Sequence, residues 1–380
     1  MVYFIETHFG SWKHTLHNSS LISLVEDLDY EVTIVCSDNH YSYLLESGVN
    51  NKIPHYNIPI FHIDYVYDEK EFESCCEELS SVFSALNING DDTIISLSSH
   101  PGVQNGLIEV NRDFKAGLIF VFHGELDYLL DKNYNRSNYQ SIISSIERTA
   151  NVGNVNFIAY NPYVFSDLSP LFSDRVLDKF VYLDHPLFKK TELISASSRN
   201  HIGVYGACIN ENFTEILRRI NDGKKKETLD RFAVFQLCDK NTYDIRDKYP
   251  TQMAGRVIRS LDGNGIEDFI NGCKWILLSY DKSMYQVSSS GILFDAVRYE
   301  VPIIALDSPI IKYYNDRYRI GIVCTSVEEI VDVIQNIDSY EDNYNDYVDG
   351  LRNMFEDTIA KNKARLTELF KLRKNGGQVQ

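Results

Sequence analysis

Short apolar runs recur along this chain, each followed by a polar loop and then by a longer segment of helical periodicity. Residues 2–5, 31–36, 93–97, 118–122 and 155–160 are short, predominantly apolar stretches, the pattern of strands covered on both faces. Between them, Leu16, Leu21, Leu24, Val25 and Leu28 describe one helix face, and residues 72–86 another. Residues 182–199 lose this periodicity and combine a proline with small polar residues, which predicts a linker. The alternation then restarts: strands at 201–205 and 232–236, helices at 212–220 and 266–271, and a charged helix from Tyr340 onward. Repeated β-α alternation predicts parallel sheets whose carboxyl ends carry the functional loops.

The most informative stretch is residues 275–321. An apolar run, 275–278, gives out into the polar loop Ser279-Tyr280-Asp281-Lys282. Ser288-Ser289-Ser290-Gly291 then precedes Ile292, Leu293, Ala296 and Val297, a helix face opened by capping serines. Val301-Pro302-Ile303-Ile304-Ala305 is the next strand, and Asp307-Ser308-Pro309 turns into another helix. A strand, a small-residue turn and a helix start at a sheet's carboxyl edge suit an anionic ligand. The same serines also suit a plain helix cap.

In this order, Gly291 to Ala296, Glu300-Val301-Pro302-Ile303-Ile304 and Gly321-Ile322-Val323 resemble the nucleotide-sugar half of GT-B glycosyltransferases. Asp295-Ala296 falls where many retaining members carry Glu-Ala, and Val287 stands where they carry a second glutamate. Gly206-Ala207-Cys208-Ile209-Asn210 occupies the place of their Arg and Lys, which leaves Arg256, Arg259 or Lys282 to neutralise a departing diphosphate. The resemblance implies an α/β GT-B fold of two Rossmann-like parallel-sheet domains facing a cleft. The acceptor-side domain would span 1–185 and the nucleotide-sugar domain 186–340, with a C-terminal helix, 341–380, crossing back onto the first domain. It places the donor against Tyr280, Lys282, Tyr285, Ser288, Ser289, Ser290, Gly291, Asp295 and Arg256.

The histidines supply the complementary chemistry. Of the ten, eight precede the linker, His185 lies within it and only His201 follows it, and His8, His14, His17, His100 and His123 lie in or near loops after strands. An inverting transferase needs a base for the acceptor hydroxyl, and imidazole titrates in the right range. His14 and His123 are the candidates the resemblance favours, with Glu125 and Asp127 as alternative bases. Asp27-Leu28-Asp29 reads as a solvated helix end and the histidines lack zinc-like spacing, so no metal is expected and no cofactor beyond the donor.

Composition narrows the partners. A formal net charge of −17 argues against nucleic acid, which demands a basic surface. Seven cysteines without regular spacing are the buried thiols of a reducing compartment. No apolar run approaches a membrane span and the first residues lack a signal-peptide pattern. A cytoplasmic enzyme is expected, at most peripheral at the inner membrane face through Lys361, Lys363, Arg365, Lys371, Arg373 and Lys374. The resulting expectation is transfer of a sugar from a nucleoside-diphosphate sugar to a hydroxyl of a glycan or lipid-linked glycan, in bacterial surface-polysaccharide synthesis. A nucleotide-sugar epimerase and a non-catalytic scaffold of the same fold are the alternatives.

Overall fold

The computed structural model describes residues 1–61, 69–130, 136–187, 193–223, 226–237, 257–260, 265–280 and 284–374. The chain folds as two compact units. The first comprises Met1–Phe188, Tyr285–Ser289 and Thr358–Gln380, the second Lys189–Met284 and Ser290–Asp357.

In the first unit the strands are β1 (Val2–Ile5), β2 (Val32–Cys36), β3 (His55–Asn57), β4 (Thr93–Ser96), β5 (Gly117–Val121), β6 (Val155–Ala159) and β7 (Phe180–Tyr182). Its helices are α1 (Thr15–Glu26), α2 (Asp38–Glu46), α3 (Glu69–Ala85), α4 (Pro101–Phe114), α5 (Arg136–Ala150), α6 (Val164–Leu168) and α7 (Asp174–Leu177). All strand pairs are parallel, in the order β3-β2-β1-β4-β5-β6-β7. The order reverses between β1 and β4, the topological switch point where doubly wound sheets bind ligands.

The two-residue alternation of each strand sorts its apolar side chains onto two faces. Tyr3, Ile5, Ile94, Leu118, Phe120 and Phe157 pack with Leu79, Leu107 and Ile146 of α3, α4 and α5. Phe4, Ile34, Ile95, Ile119 and Ile158 pack instead with Leu21, Ile22 and Val25 of α1 and with Leu366, Leu369 and Phe370 near the end of the chain. With both faces covered, these strands read as unbroken apolar runs.

Three elements depart from the pattern reading. Tyr182, assigned above to a linker, closes the three-residue edge strand β7, too short to leave a periodic trace. Pro101 starts a 14-residue helix rather than extending a loop, because proline at the first helical position gives up only an N–H that lacks a partner there. Ser37 caps α2 by accepting from the His40 amide (3.3 Å), a cap followed by few apolar residues.

The second unit holds β8 (His201–Tyr205), α8 (Glu211–Asp222), β9 (Phe232–Leu237), β10 (Val257–Ser260), α9 (Ile266–Gly272), β11 (Cys273–Leu278), α10 (Gly291–Arg298), β12 (Ile303–Leu306), α11 (Pro309–Tyr318), β13 (Gly321–Cys324) and α12 (Val327–Gln335). Helix α13 (Glu341–Lys374) follows, beginning in this unit and ending in the first. The sheet is again wholly parallel, ordered β10-β9-β8-β11-β12-β13, with its switch point between β8 and β11. Ser290, Ser308 and Ser326 cap α10, α11 and α12 through their hydroxyls, and Asn210 caps α8. Just before β12, Glu300 takes a left-handed conformation (φ 52°). That conformation is disfavoured for a residue with a side chain. The buried Arg199 holds the carbonyls of Tyr299 and Glu300 (2.8 Å each), and Arg352 donates to the Glu300 carboxylate (2.9 Å), so the neighbours hold the turn.

Candidate functional site

At the switch point of the second unit, two loops are tied together before any ligand is considered. Asn210 and Asn212 both donate to the Ser279 carbonyl (3.0 Å each), and the Ser279 hydroxyl donates to the Cys208 carbonyl (2.9 Å). These bonds link the turn after β8 to the turn after β11. Helix α10 starts beside them. Ser290 accepts from the Leu293 amide (3.3 Å) and is hydrogen-bonded to the buried Tyr280 hydroxyl (2.6 Å). Gly291 and Ile292 supply the first two amides of the helix, and neither has an acceptor among the described residues. An added side-chain carbon at Gly291 would meet nothing within 4 Å, so a ligand can approach this backbone closely.

One turn further along α10, the half-buried Asp295 accepts from the Tyr205 hydroxyl at the end of β8 (3.2 Å). Burial pushes its carboxyl pKa up from 3.8 to about 6, against the pull of Arg298. Gly206, the next residue, takes φ +55° with Ile292 of α10 against it, so glycine is required for this turn. Ser290, Gly291, Tyr280 and Asp295 are thus brought together. Lys282 and Arg256 lie outside the described residues.

The residues just before α10 behave differently. Tyr285–Ser289 belong to the first unit. There the Asp127 carboxylate accepts from the amides of Val287 (2.9 Å) and Ser288 (3.2 Å) and from the Ser288 hydroxyl. Asn161 donates to the carbonyls of Tyr285 (3.1 Å) and Ser288 (2.8 Å). Val287 is buried in the first unit's core, an apolar side chain where the GT-B pattern has its second glutamate. Two expectations are corrected. Asp127 is committed to a structural clamp and is not left to act as a base, and the Ser288 amide and hydroxyl are not left for a phosphate. Ser289 keeps a buried hydroxyl with no hydrogen-bond partner among the described residues, and Tyr285 turns the loop at φ 59°.

The carboxyl edge of the first sheet gathers the remaining candidates. Glu6, after β1, accepts from the amides of His8 (2.8 Å) and Phe9 (3.0 Å), from the Ser98 hydroxyl and from Asn18. Asn18 also contacts ring nitrogens of His17 (3.0 Å) and His40 (3.2 Å). His14 precedes α1 in a left-handed conformation (φ 61°) and keeps an exposed face, while its ring packs against Phe9 and His123 (centroids 4.5 and 4.3 Å). His123 donates from Nε2 to the Leu97 carbonyl (2.8 Å), because a carbonyl only accepts. Its neutral ring therefore has its lone pair on Nδ1. The His123 amide donates to Glu125 (2.7 Å), whose other oxygen lies 3.7 Å from His100.

Burial, then repulsion from neighbouring imidazoles, lowers the pKa of His14 and His17 well below 6.5. Burial lowers that of His123 too, although Glu125 opposes it. Burial likewise raises the Glu125 carboxyl pKa. Neutral imidazoles able to accept a proton therefore sit beside a carboxyl that holds its own longer. Glu6, Asn18, Asn161, Tyr160 and Tyr205 are missing from the sequence candidates; their positions at strand ends or on the first helix were the available signal. Among the described residues no three His, Cys, Asp or Glu side chains converge so as to hold a metal ion. No helix among them is long and apolar enough to cross a membrane.

No family model matches the chain, and no curated protein matches it in sequence. Solved structures do match it along nearly its whole length. S. aureus TarM, in a mutant form in complex with fondaparinux, alpha-GlcNAc-glycerol and UDP, is 11% identical, with a TM-score of 0.64 over 97% of this chain and 99% of that one. Anabaena HepE in complex with UDP-glucose is 9% identical, with a TM-score of 0.61 over 98% and 99%. Sucrose-phosphate synthase from Thermosynechococcus elongatus is 11% identical, with a TM-score of 0.60 over 99% and 96%. Two doubly wound parallel-sheet units and these likenesses together establish that the chain has the GT-B glycosyltransferase fold.

Proposed function

We propose that this protein is a glycosyltransferase that moves a sugar from a nucleoside-diphosphate sugar to a hydroxyl group of a glycan or glycolipid acceptor. The observation that carries the reading is the start of α10: two amides without acceptors, at the switch point of a parallel sheet, next to a glycine whose surroundings are open. Such a helix start stabilises a diphosphate and, more strongly, the charge that grows on it as the sugar departs. Asp295, Tyr205 and Tyr280 flank the seat and suit the hydroxyls of a ribose or sugar. That TarM and HepE are known in complexes with UDP or UDP-glucose favours uridine as the base.

In the reaction the acceptor oxygen bonds to the anomeric carbon as the bond from that carbon to the diphosphate oxygen breaks. The hydroxyl proton passes to a base of the first unit. His123 Nδ1, which carries that ring's lone pair, and the solvent-facing His14 ring are suited to this step. Glu125 is placed to orient His123 through its backbone. No metal or further cofactor enters this scheme. The finer assignments, surface-polysaccharide synthesis at the cytoplasmic side of a bacterial membrane, belong to the same proposal.

Thermal-shift measurements with UDP, GDP, dTDP and CMP test it. UDP is expected to raise the melting temperature, since a ligand at about 100 times its Kd stabilises by roughly 2.7 kcal/mol. If all four nucleotides leave the melting temperature unchanged, the reading is wrong. Incubation with donor alone separates the transferase from an epimerase, which would convert the donor without an acceptor.

A further inference from the structure

The carboxyl edge of the first sheet carries an array that donor binding leaves unused. Helices α1 and α4 start on either side of the switch point between β1 and β4, and neither is capped by a side chain: His14 and His100 occupy the N-cap positions without a capping bond. Proline at position 101 makes Gly102 and Val103 the first amides of α4, and these have no acceptor among the described residues. Imidazole rings line up beside these starts, with centroids 4.0 Å apart for His8 and His100, 4.2 Å for His17 and His123, and 5.0 Å for His17 and His185.

A second observation is independent of the helix ends. Thr7 Oγ1, Ser99 Oγ, His17 Nε2 and Tyr160 Oη are buried without a hydrogen-bond partner among the described residues. Each belongs to a side chain more than nine-tenths buried. Ser99 immediately precedes the α4 cap, His17 lies in the first turn of α1, and the Tyr160 ring packs 4.8 Å from His17. A buried polar group left unpaired is costly; the three hydroxyls can donate to a ligand, and His17 Nε2 can do so once the ring is protonated, since its Nδ1 already donates to Asn18 Oδ1.

From this geometry we infer that the first unit holds an anion-binding subsite, formed by the starts of α1 and α4 with His17, Ser99, Thr7 and Tyr160, that receives a phosphate or carboxylate carried by the acceptor. The assignment rests on the transferase reading. It narrows the acceptor from any hydroxyl compound to one with an acidic group near its reactive hydroxyl.

The charged neighbours fix how binding depends on pH. Glu6 faces the site from β1 but is saturated by two amides, Ser98 and Asn18. Glu125 faces His100 from the β5 loop. His8 and His14 approach from the β1 loop, His40 from α2 and His185 from beyond β7. While the imidazoles are neutral the two carboxyl groups oppose an anion, so the ligand enters together with protons that the rings take up.

Titration calorimetry of the full chain with sodium sulfate and with sodium acetate tests the inference. Sulfate stands in for phosphate, and its charge does not change between pH 6.0 and 7.5. Sulfate or acetate is expected to bind roughly tenfold tighter at pH 6.0 than at pH 7.5, with proton uptake visible as a dependence of the heat on the buffer's ionisation enthalpy. Tyr160→Phe removes one hydroxyl and keeps the ring, and His17→Gln removes one titrating group. Each is expected to weaken anion binding about tenfold while leaving the affinity for the nucleotide unchanged. Anion binding that is pH-independent and survives both substitutions, or that neither anion shows, overturns the subsite. Loss of nucleotide binding by the unmodified protein would overturn the transferase reading instead.

Discussion

The shifted pKa values of Asp295 and of the histidines have opposite consequences for pH. The Asp295 carboxyl, raised from 3.8 to about 6, contributes stability that is complete below pH 3.8 and is lost as the pH rises through 6, worth roughly 3 kcal/mol in all. His14 and His17, lowered well below 6.5, contribute stability that is complete above pH 6.5 and is lost as the pH falls. Asp295→Asn keeps an acceptor for Tyr205 and removes the charge. Urea denaturation is therefore expected to show it more stable than the unmodified protein by about 1–3 kcal/mol at pH 7.5 and equally stable near pH 4. An equal difference at both pH values would mean that the Asp295 carboxyl pKa is not raised by folding. Asp295 was readable in the sequence because its helix follows a strand and a serine turn. Its partner Tyr205 was not, because the two are 90 residues apart and only the pairing of β8 with β11 brings their loops together.

The segment Tyr285–Ser289 is the element whose environment the sequence concealed most. Three consecutive serines advertised a ligand-facing turn, yet two of the three are used internally: Ser288 by Asp127, 161 residues away, and Ser290 as the α10 cap. Removing the clamp leaves two amides and a hydroxyl without their buried acceptor. Asp127→Ala is expected to cost about 2–4 kcal/mol in urea denaturation, and Asp127→Asn less, because an amide oxygen can still accept. A loss below about 0.5 kcal/mol for the alanine variant, the ordinary range for a surface substitution, would show that the clamp is not structural. Helix α4 makes the converse point. Pro101, of a residue type that breaks helix interiors, starts this one, because its fixed φ and missing N–H suit a first helical position.

Over the whole molecule, most strands could be read from the sequence, because a parallel sheet covered on both faces imprints an unbroken apolar run wherever a central strand passes. Among the described residues β3, β7, β10 and β13 are the edge strands, and of these β3, β7 and β10 left weaker marks than β13. The last helix gave a mixed signal of charges around a thin apolar stripe, and the stripe closes the first unit's core. Leu366 is fully buried there with Leu21, Ile22 and Val25 as part of the same cluster. Leu366→Ala is accordingly expected to destabilise by about 2–5 kcal/mol, read as a lowered urea midpoint. An unchanged midpoint would place that segment outside the core. The formal charge of −17 argued only against a nucleic-acid partner, and the side chains of the proposed anion subsite come from separate strand ends and from α1, which no local pattern joins.

The account stands on donor diphosphate seated at the first amides of α10, and Gly291→Pro tests that with little else disturbed. The position is the first of the helix, its surroundings are open, and Ser290 already has the extended backbone (φ −78°, ψ 114°) that a following proline favours. The helix should persist while one amide donor disappears. Calorimetric titration with UDP is expected to give a Kd about tenfold or more weaker for Gly291→Pro than for the unmodified protein, with both melting at the same temperature in the absence of nucleotide. An unchanged Kd with the fold intact would contradict the account.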